Sequence, residues 1–152
     1  MIISTKGRYG LRAMFVLALQ QHEGPVSIKY IAEDQAISET YLEQLFSKLR
    51  KSGLVRSVRG AQGGYQLEKP PKDISVGDIL KALEGPLAPS DCVVGDGAGI
   101  CQNSEMCSTR SIWKRIYEGI NAVVDGISLQ DMLDDFFSSE HSKMPVDPKR
   151  CK

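Results

Sequence analysis

At 152 residues, with 41% hydrophobic and 25% charged side chains, the chain has the make-up of one soluble domain or a small domain with an added arm. No apolar run approaches the roughly 20 residues a membrane helix needs, and MIISTKGRYG lacks the parts of a secretion signal, so a cytoplasmic location is expected. The net charge is formally zero, but residues 1–70 hold ten Lys and Arg against six Asp and Glu while residues 71–152 hold nine against thirteen. A basic first half on an acidic second half is the electrostatic footprint of a nucleic-acid-binding head on an acidic body.

In chain order, Ser4 or Thr5 caps a first helix running to about Gln21, with Tyr9, Leu11, Ala13, Met14, Val16, Leu17 and Leu19 on its apolar face. Lys6, Arg8 and Arg12 stand at its start, where they face either phosphate or solvent. Gly24-Pro25 ends the element, and Ser27 caps a short helix, IKYIAEDQA, with Ile28, Ile31 and Ala32 inward. Ile37-Ser38 turns into a second helix whose Leu42, Leu45, Phe46 and Leu49 share one buried face. Its other side carries Glu39, Glu43, Lys48, Arg50 and Lys51, with Gln44 at the edge. After a break at Ser52-Gly53, Leu54–Arg59 is strand-like, and Gly60-Ala61-Gln62-Gly63-Gly64 returns it into Tyr65-Gln66-Leu67. Two short helices followed by a small basic hairpin form the winged helix-turn-helix pattern, in which the second helix enters the major groove by its N-terminal residues. The fold expected is mainly α with a small β-wing.

Pro70-Pro71 marks a joint, after which Ile74, Val76, Ile79, Leu80 and Leu83 make a short amphipathic helix ending at Glu84-Gly85-Pro86. Residues 85–107, rich in glycine and holding three cysteines, have no helical or strand period; irregular segments of that length are commonly functional or disordered. A helix from about Ser108 to Asp125 presents Ile112, Trp113, Ile116, Tyr117, Ile120, Val123 and Val124. That stripe is wider than a lone helix on a small head needs, which predicts a long dimerisation helix. Gly126 stops it, Ser128 caps SLQDMLDDFF, and the tail from Ser138 reads as disordered. The expected organisation is a head at 1–70, a connecting helix and loop at 71–90, a cysteine loop at 91–109, the dimerisation helix and a following short helix at 110–137, and the tail at 138–152.

Cys92, Cys101 and Cys107 follow a Cys-x8-Cys-x5-Cys pattern, with Cys151 alone in the tail. Clustered thiols in a reducing compartment point to metal or redox chemistry rather than structural disulfides. Thiolates are standard iron–sulfur ligands, whereas zinc favours a close Cys-x2-Cys pair and a clear fourth ligand. The two histidines, His22 and His141, stand in no motif with a nucleophile, and no phosphate loop or paired-carboxylate signature is present, so an enzyme is not expected.

STKGRYGLRAM, ISETYLEQLFSKLRKSGLVRSVRGAQGGYQL and ISVGDILKALEGP resemble the bacterial winged-helix regulators typified by the iron–sulfur cluster regulator IscR, with the cysteine-metabolism repressor CymR and the nitric-oxide sensor NsrR as relatives. The similarity covers about residues 1–135. The resemblance implies a homodimer with crossing long helices and two winged heads reading palindromic double-stranded DNA. It places base-reading roles on Ser38, Thr40, Glu43 and Gln44, and a minor-groove role on Arg59 beside Gly60 at the wing tip. That chemistry is coherent, since Gln pairs with adenine edges, Glu accepts from cytosine N4, and Arg suits a narrow minor groove. Tyr41, Lys48 and Arg56 are better placed for phosphate.

The resemblance also implies a 2Fe–2S cluster on Cys92, Cys101 and Cys107. Two departures stand out. The gap between the first two cysteines is longer than in the iron–sulfur regulator, and its histidine ligand is replaced here by Arg110, which stays protonated and cannot ligate iron. The nitric-oxide branch takes a carboxylate from the partner's first helix, but Arg8 and Arg12 occupy that neighbourhood here. Glu105 or another loop oxygen, His141, Cys151 or a small exogenous thiol remain candidates for the fourth position. The alternative is a same-fold repressor of cysteine or sulfur metabolism without a cluster, controlled by a small molecule, a partner protein or oxidation of thiols such as Cys101 and Cys107.

Overall fold

The structure is a computed structural model that describes residues 3–95 and 106–139. The sequence readings on Cys101, Glu105, His141, Cys151 and the tail beyond Ser139 fall outside the described residues. Helix α1 spans Thr5–Leu19, α2 Ile28–Gln35 and α3 Glu39–Lys51. Strands β1 (Val55–Val58) and β2 (Gly64–Leu67) follow, then α4 (Val76–Glu84), α5 (Arg110–Asp125) and α6 (Leu129–Ser138). Single 3-10 turns lie at Pro71–Asp73 and Asp91–Val93. The chain is thus mainly helical with one two-stranded antiparallel sheet.

Serine begins almost every helix. The Ser4, Ser27 and Ser38 hydroxyls accept from the N–H groups of Lys6, Tyr30 and Tyr41 and so satisfy donors that the first turn leaves open. Ser4, not Thr5, is therefore the α1 cap. Ser75 and Ser128 go further, each forming a reciprocal capping box with the Asp three places on, Asp78 and Asp131. The break between α2 and α3 starts one residue earlier than read from sequence, because Ala36 adopts the left-handed conformation at φ 51°. Ile37 then buries its side chain and locks the turn.

α1 lies at the centre, packed against α2, α3, α4, α6 and β2. Ala13, Met14 and Leu17 are almost wholly enclosed, and the Leu42, Leu45, Phe46 and Leu49 face of α3 closes on the same core. Ile74, Ile79 and Leu83 before and in α4, and Leu129 and Leu133 of α6, belong to that core too. Pro70-Pro71 is thus a change of direction within one packed body. The α6 end is fastened by a short antiparallel pairing in which Val76 N–H donates to Ile127 O at 2.8 Å and Leu129 N–H to Ile74 O at 2.9 Å.

Three sequence readings shift. Arg12 turns inward instead of facing phosphate: its Nε donates to Gln35 Oε1 at 2.7 Å and its guanidinium lies 5.7 Å from the Tyr9 ring centroid. Such a bonded, stacked Arg joins α1 to α2 and is spent on the fold. The irregular segment after Gly85 is anchored at its start, since Leu87 and Val93 are buried and Asp91–Val93 makes a 3-10 turn. Ser138, assigned to the tail, is the last residue of α6.

α5 differs from every other helix in having no buried residue. Ile120 and Val124 lean on α4, but Ile112, Trp113, Ile116 and Val123 are exposed. Its C-terminal end is held to α4 by a Lys81–Asp125 ion pair, with Nζ 2.7 Å from both carboxylate oxygens.

The wing pairs Val55 with Leu67, Arg56 with Gln66, Ser57 with Tyr65 and Val58 with Gly64. A two-stranded hairpin is marginal alone, and this one is anchored twice. The Tyr65 ring packs against Phe46, tilted by 48° with centroids 4.6 Å apart, and its backbone exchanges bonds of 2.9 and 2.8 Å with Val26 in the α1–α2 connection. The second anchor explains the Gly63-Gly64 pair. A Cβ on Gly64 would run into the Val26 carbonyl, and one on Gly63 into the Val58 carbonyl, both rigid backbone. Gly64→Ala is therefore predicted to cost about 1–3 kcal/mol, the range for overpacking a fitted contact. A thermal melt checks it, with Gly60→Ala, where φ is +122° but no atom lies within 4 Å, separating backbone strain from collision.

Candidate nucleic-acid interface and cysteine loop

The burial of α3 by one face dictates what it offers on the other. Ser38, Thr40, Glu43 and Gln44 are all exposed, and the last three sit at helical spacing i, i+3, i+4 on one outward stripe. Ser38 is also the helix cap, its Oγ accepting from Tyr41 N at 3.3 Å, which leaves its hydroxyl hydrogen for an outside acceptor. Lys48 is exposed in the last turn, next to Arg50 and Lys51, where cations complement the helix dipole.

Tyr41 is set back from this stripe. It is half-buried, its ring meets Tyr9 edge-on at 6.1 Å between centroids, and its hydroxyl lies 3.2 Å from Thr5 Oγ1. Its first role in the structure is to tie α3 to the first turn of α1. Lys6 and Arg8 of that turn are exposed.

In the wing, Arg56 is exposed and its Nη2 donates to Gln66 Oε1 at 3.3 Å across the strand pair. Arg59 and Gly60 form the exposed tip, with Gly60 at φ 122°, a conformation that favours glycine. Arg50 donates to Ser57 Oγ at 3.5 Å, linking the end of α3 to β1. Sequence alone sets Arg50 on the polar face without giving it this bridging role. The K-x-R-K run at the helix end is the one signal of it.

The cysteine loop presents its two described thiols at its ends. Cys92 is half-buried in the 3-10 turn, with Ser90 Oγ 3.3 Å from its sulfur. Cys107 is exposed just before α5, with Thr109 Oγ1 3.4 Å from its sulfur. The Thr109 hydroxyl, followed by the Thr109 backbone N–H, holds the Cys107 thiol below its usual range, against a small opposing effect of desolvation. The backbone and charge of Arg110 act in the same direction as Thr109. A thiol disposed to ionise fits a thiolate-bound iron–sulfur group. Arg110 opens α5 close behind it, and its guanidinium supplies no ligand. Among the described residues no three His, Cys, Asp or Glu side chains cluster as a metal site, Cys101 lying outside them. Among the same residues, no helix is long and apolar enough to cross a membrane.

Residues 3–135 match the Rrf2 family, described as iron-dependent transcriptional regulator. The chain is 46% identical to the HTH-type transcriptional regulator CymR of Bacillus subtilis (strain 168), over 87% of its own length and 89% of the relative's. It is 44% identical to the regulator IscR of Aliivibrio salmonicida, over 89% and 79% of the two chains. Among solved structures, T. potens IscR superimposes with a TM-score of 0.73 at 47% identity, covering 96% of this chain and 93% of that one.

The thiol environment makes a direct prediction. With Cys92, Cys101 and Cys151 replaced by Ser, the pH midpoint for alkylation of Cys107 by iodoacetamide falls below that of an unperturbed cysteine thiol. Thr109→Val moves that midpoint upward; equal midpoints in the two proteins would contradict the assignment.

Proposed function

This chain belongs to the Rrf2 family of transcriptional regulators, and from that premise we propose that it acts as a homodimer on palindromic operator DNA under the control of a 2Fe–2S cluster. The observation that carries the DNA half is the outward stripe of α3, flanked by the wing. Thr40, Glu43 and Gln44 are exposed on a helix whose opposite face is fully enclosed, and Arg59 stands at an exposed glycine tip. In this reading Ser38, Thr40, Glu43 and Gln44 meet base edges in the major groove and Arg59 enters the minor groove. Lys48, Arg56 and Tyr41 meet phosphate, which fixes register without reading sequence. The uncovered Ile112, Trp113, Ile116 and Val123 of α5 support a second copy as the partner, because an apolar helix face of this extent is stable in water only when covered.

In the control half, Cys92, Cys101 and Cys107 are the thiolates that would hold the cluster, with the fourth position left to a group other than Arg110. A cluster bound there supplies a centre that gains or loses an electron and is open to attack by oxidants. The chain's own part is mechanical. Ligation would hold together the two ends of the segment from Asp91 to Thr109, one packed on α5 at the Asp91–Val93 turn and the other leading into α5. Regulation follows if one dimer arrangement keeps those ends closer than the other, since a ligand shifts an equilibrium only by its preference between two states.

A second reading keeps the fold and the DNA face but drops the cluster. The 46% identity to CymR and the Arg110 substitution favour it. The control would then be a small molecule, a partner protein or thiol oxidation, in a regulator of sulfur metabolism.

Anaerobic reconstitution decides between the two. The first reading predicts visible absorption with about two iron and two sulfide per chain, reduced in each of Cys92→Ala, Cys101→Ala and Cys107→Ala. If all three variants keep the wild-type spectrum, the ligand set is wrong; if wild type takes up no iron, the second reading stands. For the DNA half, Glu43→Ala is predicted to relax discrimination at one base pair by about 1–3 kcal/mol. Lys48→Ala instead weakens binding to all duplexes alike and lowers the salt slope by about one. Binding titrations at several salt concentrations on matched and mismatched duplexes read both effects.

A further inference from the structure

Glu84 is the last residue of α4, directly before Gly85 turns the chain toward the cysteine segment at φ 86°. Its carboxylate does not face solvent alone. Oε1 accepts from Ser4 Oγ at 2.6 Å, from Gly7 N–H at 2.9 Å and from Ser4 N–H at 3.0 Å. Those are the open donors at the N-terminus of α1, so a carboxylate from a residue eighty positions away serves as a second cap, where the helix dipole also favours negative charge. Gly7 makes the approach possible, because a Cβ there would stand 2.8 Å from the same oxygen. Burial opposes ionisation of Glu84, yet the Ser4 hydroxyl, the Gly7 and Ser4 amides and the Lys6 charge outweigh it and hold the carboxyl below its usual range. The group is therefore a carboxylate at neutral pH.

The same turn of α1 reaches the recognition helix. Thr5, between Ser4 and Gly7, bonds the Tyr41 hydroxyl, and Tyr9 one turn on meets the Tyr41 ring. Tyr41 lies between Thr40 and Leu42, next to the outward stripe. A continuous set of contacts thus runs from the root of the cysteine segment through Glu84, Ser4–Gly7, and Thr5–Tyr41 into the first turn of α3. The apolar packing of α4 against its neighbours is supplied separately, by Ile79, Leu80 and Leu83.

We propose that Glu84 is a positioning residue for DNA recognition, its three bonds to the first turn of α1 setting, through Thr5 and Tyr41, the angle at which α3 presents Thr40, Glu43 and Gln44. This deepens the DNA-binding reading and rests on it. It also gives the cysteine segment a route to the recognition helix within one chain, separate from the dimer helix.

The test uses the full-length protein and three variants, Glu84→Leu, Glu84→Gln and Tyr41→Phe, with the double variant Glu84→Leu/Tyr41→Phe. The probes are a duplex selected in vitro for binding to the wild type and the same duplex with its bases shuffled. Glu84→Leu should lose discrimination between the two duplexes by about tenfold. Glu84→Gln, which keeps an oxygen acceptor at the same place, should restore discrimination to within about twofold of wild type, even where its melting temperature falls. Tyr41→Phe should lose discrimination also, and the double variant should lose no more than Glu84→Leu alone, because both cuts sever one path. Additive losses, or unchanged discrimination in Glu84→Leu, overturn the proposal. Amide hydrogen exchange on the DNA-free proteins tests the same path without DNA: residues 39–43 should exchange faster in Glu84→Leu and as in wild type in Glu84→Gln. Equal exchange in all three proteins overturns the proposal, and wild type failing to bind any duplex overturns the DNA reading instead.

Discussion

The structure depends on the enclosure of one side of α3. Leu42, Phe46 and Leu49 are fully buried and Leu45 is 2% exposed, each contributing on the order of 1.5–3 kcal/mol by leaving water. Turning the helix by one residue, about 100°, would expose this face and bury Glu43 or Lys48, whose charges have no partner inside. Hydrophobic burial therefore decides which face of α3 turns outward, and the outward stripe follows as a geometric consequence, with only its fine angle left to contacts such as those of Tyr41. Phe46 extends the same constraint to the wing through its contact with the Tyr65 ring, so helix and hairpin are held by one cluster.

α5 presents the opposite situation. It is fastened by the Lys81–Asp125 pair and the backbone pairing around Ile127 at its C-terminal end and by contact with the Asp91–Val93 turn, while Ile112, Trp113, Ile116 and Val123 stay open. An exposed ion pair of this kind contributes at most about 1 kcal/mol, too little to define the helix direction. Packing of Ile120 and Val124 on Val76 and Leu80 supplies the rest on one side only. A second copy laid on the open side would complete α5 as a two-sided element, and the angle between two heads would then be set by how the paired helices cross.

Much of this is legible in the sequence because the local signals agree. Serine caps, the apolar spacing of α3 and the glycine-flanked hairpin each name one structure, and element limits shift by only a residue or two. The departures share a cause. Charge alone sends Arg12 outward, yet an Arg can cross a ring and reach a buried Gln35 when both sit on neighbouring helices, and sequence spacing carries no trace of that contact. Glu84 reads only as a helix end for the same reason. Its three donors lie at the far end of the described sequence and become neighbours only through tertiary packing. Gly63 and Gly64 look like turn glycines, but Gly64 is required by the approach of the Val26 backbone, which belongs to another part of the chain. The spacing of Tyr41 fits either a phosphate contact or a packing role, and only the folded structure shows that its ring and hydroxyl are engaged by Tyr9 and Thr5.

The placement of the cysteine segment gives the proposed control its physical logic. One root, at Glu84-Gly85, sits against the first turn of α1, and the other, at Arg110, opens the helix with the uncovered face. In the proposed control, a change in the intervening chain would act on both elements, the one that touches the recognition helix and the one that would set the spacing of two heads. A site meant only to staple the fold would gain from a complete set of protein ligands and a buried setting. Here Cys107 is exposed and disposed to ionise, and the neighbouring position that could close the set carries a guanidinium. Those properties favour exchange with the surroundings over permanence, whether the occupant is a cluster or an oxidising thiol reagent. Reactivity at one end of the segment and mechanical leverage at both are what a reporter of chemical state requires, and a structural staple requires neither.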